Sequence, residues 1–409
     1  MFLAYEVLLY LVFIIGLPFF LIAGLIRGKY LANFPQRLGF SRHPAAAHDL
    51  WVHAVSVGET LAAKPIVDAI LQQRPGTSIV FTTTTMTGQA QAQRLFPAAT
   101  VTYFPFDFSA SVKRFLDRYR PRVFATIETE IWPNVTRIAR ERGLRLILAN
   151  GRLSDRSYPR YFVLRPLISR VLQRYDRVLA RDDGDRQRFI AIGAPPSVVE
   201  VAGNVKFDFT PDERPLEIAA DVERLIAGRP VLVLASTMAG EDEMLIPQLP
   251  PEFFTIIAPR KPERFDAVAA LLRNHEVARR TAIGDRQTAN VLLLDSIGEL
   301  ARLYRYATAA FIGGSLVNTG GHNPIEAAAA GVPVCYGPHM SNFREIASVF
   351  LNNEAAVEVK NAQDVFAFAR RMAAEPPTRR GYAERARRTV EQNRGASQRT
   401  AQRIIELLA

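Results

Sequence analysis

Two acidic segments in this 409-residue chain follow short apolar runs that are typical of β-strands. Glu59 ends the segment HAVSVGE, in which Gly58 permits a tight turn from a strand into a helix. The segment IETEIWPN places Glu128 and Glu130 two residues apart, on one side of an extended chain. Because the positive potential at a helix start favours an ionised carboxylate, Glu59 is a candidate general base. The simpler alternatives are a Glu59 that only complements the helix dipole and a solvated Glu130.

A glycine-rich loop at 313–326, GGSLVNTGGHNPIE, is typical of a phosphate-binding turn. Its glycines let backbone N–H groups approach a phosphate, and Pro324 suits the first turn of the alanine-rich helix that follows. Glu326, just inside that helix, can accept hydrogen bonds from both hydroxyls of a ribose. The loop matches neither GxGxxG nor a Walker motif, so dinucleotide-binding proteins and ATPases are poor fits. A plain glycine-rich turn before a capped helix is the alternative.

Three further loops carry residues suited to an anionic ligand. Arg260, in IIAPRKPERF, ends a predicted strand, where its guanidinium can hold an anion, and residues 297–299 follow the apolar run VLLLD. Lys206, in GNVKFD, stands near the predicted junction of two domains, where it can meet a leaving phosphate. A solvated surface lysine is the alternative there.

The elements that position these residues form two successive series of alternating strands and helices. Such alternation predicts parallel sheets covered by helices on both faces, with ligand sites at the carboxyl ends of the strands. The first series has strands at 50–55, 78–83, 101–104, 122–127, 145–149, 177–180 and 199–202. The second has strands at 230–235, 254–258, 291–294, 309–312, 332–336 and 356–359. We therefore predict an α/β protein of two Rossmann-like domains that face each other across a cleft.

The domain boundaries follow from shifts in composition. Residues 1–30 hold an apolar anchor, and residues 31–210 form the first domain. Residues 211–228 are a charged, proline-rich linker, and residues 229–409 form the second, nucleotide-binding domain with one or two helices from Thr378 onward.

Composition narrows the class of ligand. The 51 Lys and Arg residues against 40 Asp and Glu give a net charge of +11, which favours an anionic partner. No zinc-finger spacing or RNP-like motif is present, so we expect no nucleic acid. A single cysteine, Cys335, excludes an internal disulfide. The six histidines are scattered without metal-ligand spacing, so we expect no metal site.

An uncharged run at 7–26 predicts a membrane-anchoring helix, because about twenty helical residues reach about 30 Å, the thickness of a bilayer's hydrocarbon core. No basic residue precedes the run, unlike a secretory signal, and the basic residues after it predict that the body stays in the cytoplasm. These residues are Arg27, Lys29, Arg37 and Arg42. Gly16 and Pro18 can kink the helix, so a helix lying in one leaflet is the alternative.

Arginines recur every three to five residues in an apolar and aromatic stretch between 156 and 177. Such a basic amphipathic segment can lie on an anionic membrane surface and attract the phosphates of an acceptor. A solvated helix face is the alternative. The arginines are Arg156, Arg160, Arg165, Arg170, Arg174 and Arg177.

Eight segments, in order along the chain, resemble the Kdo (3-deoxy-D-manno-octulosonic acid) transferases. The resemblance covers almost the whole chain after the apolar run. The segments are HAVSVGE, TTTTMTG, ETEIWPN, NGRLSDRS, GNVKFD, STMAGE, APRKPERF and GGSLVNTGGHNPIEAAAAGVPVCYGP.

The resemblance implies a GT-B fold, CMP-Kdo as donor and the glucosamine disaccharide of a lipid A precursor as acceptor, in lipopolysaccharide core biosynthesis at the inner membrane. It also implies inversion at the anomeric carbon, without a catalytic metal or another cofactor. By motif position Glu59 is the base, and Glu130 and Lys206 stabilise the transition state. The residues implied in holding CMP are Pro259, Arg260, Ile297, Gly298, Glu299, Asn323, Pro324, Ile325 and Glu326.

The chain departs from that family pattern at two places. Met238 in STMAGE stands where relatives commonly have histidine, and Arg181 begins a segment that usually starts with glutamine. Two other functions stay open: a GT-B transferase that uses a UDP-sugar, and a membrane-tethered nucleotide-binding protein without catalysis.

Overall fold

The computed structural model describes residues 1–27, 33–41, 43–155, 157–210, 214–284 and 287–409, with no account of the side chains of 19–27. Lys29, Arg42, Arg156 and the first residues of the predicted linker lie outside the described residues. The chain divides into two compact units. The first unit comprises Met1–Asp208 and Arg394–Ala409, and the second comprises Phe209–Asn393.

The first unit alternates strands and helices from residue 48 onward. Its strands are β1 (His48–His53), β2 (Ile79–Thr83), β3 (Thr100–Tyr103), β4 (Pro121–Ile127), β5 (Arg145–Gly151), β6 (Arg177–Ala180) and β7 (Val199–Val201). Its helices up to that point are α1 (Phe2–Arg27), α2 (Phe34–Arg37), α3 (Val57–Gln73), α4 (Met86–Leu95), α5 (Ser109–Tyr119), α6 (Pro133–Glu141), α7 (Tyr158–Val163), α8 (Arg165–Leu172) and α9 (Asp183–Ala191). Short 3-10 helices lie at Pro196–Val198 and Val205–Asp208.

These strands form one seven-stranded sheet in the order β3-β2-β1-β4-β5-β6-β7. Neighbouring strands are parallel throughout, with Trp51 opposite Phe124 and His53 opposite Thr126 where β1 meets β4. Helices cover both faces, so the central strands are buried on both sides and their sequences are almost continuously apolar. The chain moves outward from β1 in one direction and from β4 in the other, which makes the β1–β4 junction the topological switch point of this sheet.

The second unit repeats the architecture. Its strands are β8 (Val231–Thr237), β9 (Phe254–Pro259), β10 (Val277–Arg279), β11 (Val291–Leu293), β12 (Ala309–Ile312), β13 (Val334–Tyr336) and β14 (Ala356–Glu358). Its helices are α10 (Ala219–Ile226), α11 (Glu241–Leu245), α12 (Phe265–Leu271), α13 (Leu300–Leu303), α14 (Ile325–Ala329), α15 (Arg344–Asn352), α16 (Ala362–Ala374) and α17 (Pro376–Gln392). Four 3-10 helices lie at Ile246–Gln248, Pro262–Arg264, Arg280–Ala282 and Tyr304–Tyr306.

The second sheet is also seven-stranded and parallel, in the order β10-β11-β9-β8-β12-β13-β14, so its switch point lies between β8 and β12. Each strand predicted from the sequence is present in one of the two sheets, within two residues of its predicted ends. The prediction missed β10, because three residues at a sheet edge give too short an apolar pattern to recognise.

The sequence prediction is wrong for the end of the chain, because residues 394–409 belong to the first unit and not to the second domain. The last helix, α18 (Ala396–Leu408), belongs to the first unit, where it packs against α3, instead of ending the second domain. Ala401 and Ile404 of α18 are buried in the same apolar cluster as Ile66 of α3. Asp208 fixes the start of α18 by accepting hydrogen bonds from the backbone N–H groups of Gly395 (2.5 Å) and Ser397 (2.6 Å). The apolar face of α18 packs on a helix more than 300 residues earlier in the chain, so the sequence pattern within 378–409 could not show to which domain this helix belongs.

The predicted membrane anchor falls within α1, whose first half packs on the first unit. The Tyr5 hydroxyl donates a hydrogen bond to Asp107 (2.8 Å), Ser109 donates one to Glu6 (2.6 Å), and the ring of Phe13 lies 5.1 Å from that of Phe108. Among the residues described, no helix combines the length and the apolarity needed to cross a bilayer. The anchor stays a prediction.

Replacing Asp208 with alanine should destabilise the first unit by about 1–2 kcal/mol, the usual cost of losing a helix N-cap acceptor. Both orphan N–H groups at the start of α18 would lose their partner. Urea unfolding followed by circular dichroism measures the change. Asp117→Ala, which removes an exposed ion pair with Arg142, is the matched control and should change stability by less than about 0.5 kcal/mol. Equal effects of the two variants would contradict the capping role.

Candidate functional site

The switch point of the first sheet gathers three carboxylates. Glu59 lies in the first turn of α3, which follows β1, and Glu128 is the first residue after β4. Glu130 stands between β4 and α6. Since β1 and β4 are adjacent, the two loops leave the sheet side by side, where ligands bind in open α/β sheets. The structure therefore brings together the acidic residues that the sequence singled out.

Glu59 is held by the backbone of its own loop. Its Oε2 accepts a hydrogen bond from the Val55 N–H, and its place three residues after the N-cap Ser56 is that of the glutamate in a capping box. Burial, with the neighbouring charges of Glu128 and Glu130, raises the pKa of Glu59 to about 8, although the Val55 and Ser56 N–H groups lower it. The prediction that the helix start keeps this carboxylate ionised is wrong, because desolvation outweighs the N–H groups.

Glu130 is fixed by its neighbours, in contrast to the solvated side chain of the simpler alternative. Its Oε2 accepts a hydrogen bond from the Trp132 indole at 2.8 Å and lies 3.8 Å from Nε2 of His53. His53 is fully buried, and its Nδ1 lies 3.1 Å from the carbonyl oxygen of Thr82. A carbonyl only accepts, so Nδ1 carries the proton and the ring orientation is set. Sequence reasoning missed His53, although it opens the HAVSVGE segment.

Glu128 is paired with a buried arginine. The Arg181 guanidinium contacts Glu128 at 2.5 Å, with only 2% of the arginine side chain exposed. Arg181 follows β6 and donates a second hydrogen bond from Nε to the carbonyl of Asn150 at 3.2 Å. The unusual residue at 181 thus supplies a cation at the acidic cluster. The sequence showed the departure at 181 but gave no partner for it.

Lys206 lies on the 3-10 helix Val205–Asp208, beyond β7 at the edge of the sheet. The Val205 N–H donates to the side chain of Asn150 (3.3 Å), and the 3-10 helix packs against α3, whose first turn holds Glu59. The Lys206 backbone N–H donates to Asn204 at 3.1 Å. The fold therefore places the backbone at Lys206 beyond the carboxyl ends of the strands of the first sheet.

The switch point of the second sheet is organised by a buried glutamate. Glu241, fully buried at the start of α11, accepts four backbone hydrogen bonds: from Met238 (3.0 Å), Gly314 (2.6 Å), Ser315 (2.9 Å) and Leu316 (2.9 Å). These bonds join the loop after β8 to the glycine-rich loop after β12. Sequence reasoning missed Glu241 because three of its four N–H donors come from residues more than seventy positions away.

Met238 has a backbone role in this arrangement. Its N–H donates to Glu241, and its carbonyl accepts from the Glu241 N–H at 3.0 Å. Any residue type except proline can form these two bonds, so they do not depend on whether methionine or histidine stands at 238.

Beside that junction, Arg260, His322 and Glu326 form an electrostatic cluster. Burial and the positive charge of Arg260 lower the pKa of His322 to about 4, so its imidazole is neutral at pH 7. Burial raises the pKa of Glu326, while a hydrogen bond with Asn323 and the charge of Arg260 oppose the rise. The Nε2 atom of His322 is buried and, among the described residues, has no hydrogen-bond partner. Arg260 itself is exposed, and its N–H is bound to the Thr237 carbonyl at 3.0 Å.

The remaining predicted nucleotide contacts fall in two places. Asn323 and Pro324 lead directly into α14, which begins at Ile325 and has five residues. Ile297, Gly298 and Glu299 follow β11, and β9 separates that strand from β8. The Glu299 carboxylate is bound to Arg280 (2.9 Å) and to the Ser296 hydroxyl, which holds its pKa below the usual range. The Ile297 side chain is exposed.

Comparisons with known proteins agree with this architecture. A family model described as 3-Deoxy-D-manno-octulosonic-acid transferase (kdotransferase) matches residues 32–209. A 3-deoxy-D-manno-octulosonic acid transferase from Bordetella pertussis is 37% identical over 403 residues, which cover 93% of each chain. A protein of the same description from Haemophilus influenzae is 32% identical over 394 residues, covering 93% of this chain and 91% of that protein.

The crystal structure of a UDP-GlcNAc 2-epimerase from Neisseria meningitidis resembles the chain with a TM-score of 0.57, at 12% identity, over 88% of this chain and 99% of that one. At such low identity the likeness shows the fold alone, two Rossmann-like units of the GT-B kind.

Glu241→Gln should destabilise the second unit by about 2–4 kcal/mol, because the new amide turns N–H donors toward backbone N–H groups that need acceptors. Urea unfolding measures the loss. Glu263→Gln, at an exposed position in the same unit, is the control and should shift stability by less than about 0.5 kcal/mol. A Glu241→Gln protein as stable as the control would show that the four bonds do not hold the loops.

Proposed function

Because the chain belongs to the 3-deoxy-D-manno-octulosonic acid (Kdo) transferase family, we propose that it transfers Kdo from CMP-Kdo to the glucosamine disaccharide of a lipid A precursor, in lipopolysaccharide core biosynthesis. The observation that carries the proposal is the desolvated Glu59 carboxyl at the switch point of the first sheet, beside Glu128 and Glu130.

Glu59 is the general base of the proposed reaction. Its raised pKa makes the ionised form a stronger base than an ordinary glutamate, matched to a reaction near neutral pH. The ionised carboxylate takes the proton of the acceptor hydroxyl while that oxygen attacks the anomeric carbon of Kdo and the bond to CMP breaks. Attack on the face opposite the leaving group inverts the anomeric centre. The backbone N–H of Val55 holds one carboxylate oxygen and so fixes the orientation of the base.

Glu130 and Lys206 stabilise the charges that develop during the transfer. As CMP departs, the sugar ring gains oxocarbenium character, and the Glu130 carboxylate, held by the Trp132 indole, offers it a fixed negative charge. Lys206 offers a positive charge to the departing phosphate. These roles rest on motif position together with the placement of both residues beyond the carboxyl ends of the first sheet's strands.

The second unit holds the nucleotide. Arg260 is exposed beside His322 and Glu326, so its guanidinium is accessible to the single phosphate of CMP, and Glu326 can accept hydrogen bonds from the ribose hydroxyls. Pro259 and the backbone from Asn323 to Ile325 complete this side of the nucleotide. Ile297, Gly298 and Glu299 contribute through the exposed Ile297 side chain and the backbone, since the Glu299 carboxylate is already bound to Arg280.

No metal ion or other cofactor takes part in the proposed reaction. CMP carries one phosphate group, which one guanidinium and one ammonium can neutralise as it leaves. Transfer should therefore be unchanged after dialysis against a chelator.

The reaction takes place at the cytoplasmic face of the inner membrane, where α1 anchors the enzyme. The outward side chains of α1 include exposed Leu3, Leu8 and Ile15. On α7 and α8, exposed Phe162, Val163 and Leu164 stand among exposed arginines, a combination that suits an anionic lipid surface. The exposed arginines are Arg160, Arg165 and Arg170.

Mass spectrometry of a tetraacylated lipid A precursor, incubated with the full-length protein and CMP-Kdo, tests this function. The product should gain the mass of one or more Kdo units, and UDP-sugars should give no product. Transfer from a UDP-sugar but not from CMP-Kdo would replace the donor assignment. CMP binding without any transfer would make the protein a non-catalytic binder.

The pH dependence of transfer tests Glu59 as the base. Since the base must be deprotonated, kcat/KM should rise with pH and level off above about pH 8, the raised pKa of Glu59. Glu59→Gln should bind CMP normally but lose transfer by about 10²–10⁴-fold, the usual contribution of a general base. Initial rates and calorimetric CMP binding measure both effects. Turnover like that of the wild type in Glu59→Gln would remove Glu59 from this role.

The stability of the same variant gives an independent check. A carboxyl whose folded-state pKa is raised binds its proton more tightly when folded, so its contribution to stability is present at low pH and lost as pH rises to about 8. Glutamine does not ionise, so Glu59→Gln should gain stability relative to the wild type between pH 5 and pH 9. A constant difference over that range would contradict the raised pKa.

Glu326→Ala should weaken CMP binding by about 1–3 kcal/mol, roughly 5- to 150-fold in Kd, if its carboxylate holds the ribose hydroxyls. Isothermal titration with CMP measures the change, and Glu263→Gln serves as the exposed control from the same unit. Unchanged CMP affinity in Glu326→Ala would contradict the ribose contact.

A further inference from the structure

Arg181 is buried next to the acidic cluster, in a position set by three contacts. Its guanidinium meets Glu128 at 2.5 Å with 2% of the side chain exposed. Its Nε donates to the Asn150 carbonyl and its backbone N–H to the Gly151 carbonyl, both at 3.2 Å. A buried guanidinium is costly without an anionic partner, and Glu128 is the carboxylate it contacts.

Glu128 adopts a left-handed backbone conformation that residues other than glycine rarely take. Its φ is +65°, and Asn150, on the neighbouring strand β5, has a φ of +54°. Such conformations cost about 1–3 kcal/mol and persist where the surroundings hold them. The Glu128 N–H donates to Ala149 at 2.9 Å, and the Arg181 guanidinium holds its carboxylate. Arg181 therefore ties the loop after β4 to the ends of β5 and β6.

The charges around Glu59 are unevenly compensated. Glu128 and Glu130 face it from the loop after β4, and only the N–H groups of Val55 and Ser56 face it from its own loop. Glu130 accepts a hydrogen bond from the indole N–H of Trp132. Arg181 supplies a permanently charged cation to the cluster through its contact with Glu128, and Lys206 lies on the 3-10 helix that packs against α3.

We propose that Arg181 is a positioning residue that, by holding Glu128 and offsetting part of its charge, lowers the pH above which Glu59 acts as the base. The proposal rests on the proposed role of Glu59. A glutamine at this place could hydrogen-bond to Glu128 but would supply no positive charge. The working pH of this enzyme is therefore adjusted by a residue that touches neither substrate nor base.

The experiment is the pH profile of Kdo transfer by Arg181→Gln. Without the guanidinium, Glu128 repels the ionised form of Glu59 more strongly, so the rising limb of the profile should move to a pH about 0.5–1 unit higher. The rate should fall about three- to tenfold at pH 7 and approach the wild-type rate above pH 9. A purely structural role would lower the rate equally at every pH.

Three variants separate charge from structure. Arg181→Lys keeps the charge, so the rising limb of its pH profile should lie at the wild-type pH. Arg181→Gln combined with Glu128→Gln removes both charges, so its rising limb should lie at or below the wild-type pH. Arg142→Gln removes an exposed ion pair at the opposite end of α6 and should leave the profile unchanged. An unshifted limb in Arg181→Gln, or an equal shift in the lysine variant, overturns the proposal.

A second readout does not need turnover. A water-soluble carbodiimide with glycine ethyl ester couples to protonated carboxyls, and peptide mass spectrometry can follow the labelling of Glu59 against pH. Labelling should persist to higher pH in Arg181→Gln than in the wild type. If the wild type transfers no Kdo, the proposed function fails, and the labelling still decides whether Arg181 controls the protonation of Glu59.

Discussion

The constraint on which the account depends is the burial of a carboxyl beside two others at the point where the first sheet reverses its strand order. Removing Glu59 from water disfavours its charge, and Glu128 and Glu130 disfavour it further, while two backbone N–H groups compensate only in part. The group therefore holds its proton more strongly than an ordinary glutamate. The topology of the parallel sheet creates this position, because the loops after the adjacent strands β1 and β4 run to opposite faces of the sheet and leave a crevice between them.

The second sheet shows the same group at the equivalent place with a different outcome. Glu241 follows β8 as Glu59 follows β1, each at the switch point of its sheet. Four backbone N–H groups bind Glu241, whereas Glu59 has the Val55 and Ser56 N–H groups and the like charges of Glu128 and Glu130. Burial raises the pKa of both carboxyls. The number of N–H donors distinguishes the carboxylate that ties two loops together from the one proposed as the base.

Much of the fold could be predicted from the sequence because parallel strands are continuous apolar runs, and thirteen such runs correspond to strands in the structure. What failed was either too short to show a pattern or dependent on contacts distant in sequence. The edge strand β10 is too short to show a pattern, and α18 joins the first unit through its packing on α3. In the site, the positions of Glu59 and Glu130 followed from strand ends. The raised pKa of Glu59, the Arg181–Glu128 pair and the bonds of Glu241 come from the assembled loops, which spacing along the chain does not encode.

The most direct measurement of the central claim is the titration of the Glu59 carboxyl itself. In protein labelled with ¹³C at the glutamate side-chain carboxyl, the resonance missing from Glu59→Gln identifies the group, and its shift is followed from pH 4 to pH 10. A midpoint near pH 8 is the expected result. A midpoint near the ordinary glutamate value of about 4.3 would show that the carboxyl is solvated and that the cluster does not create the proposed base.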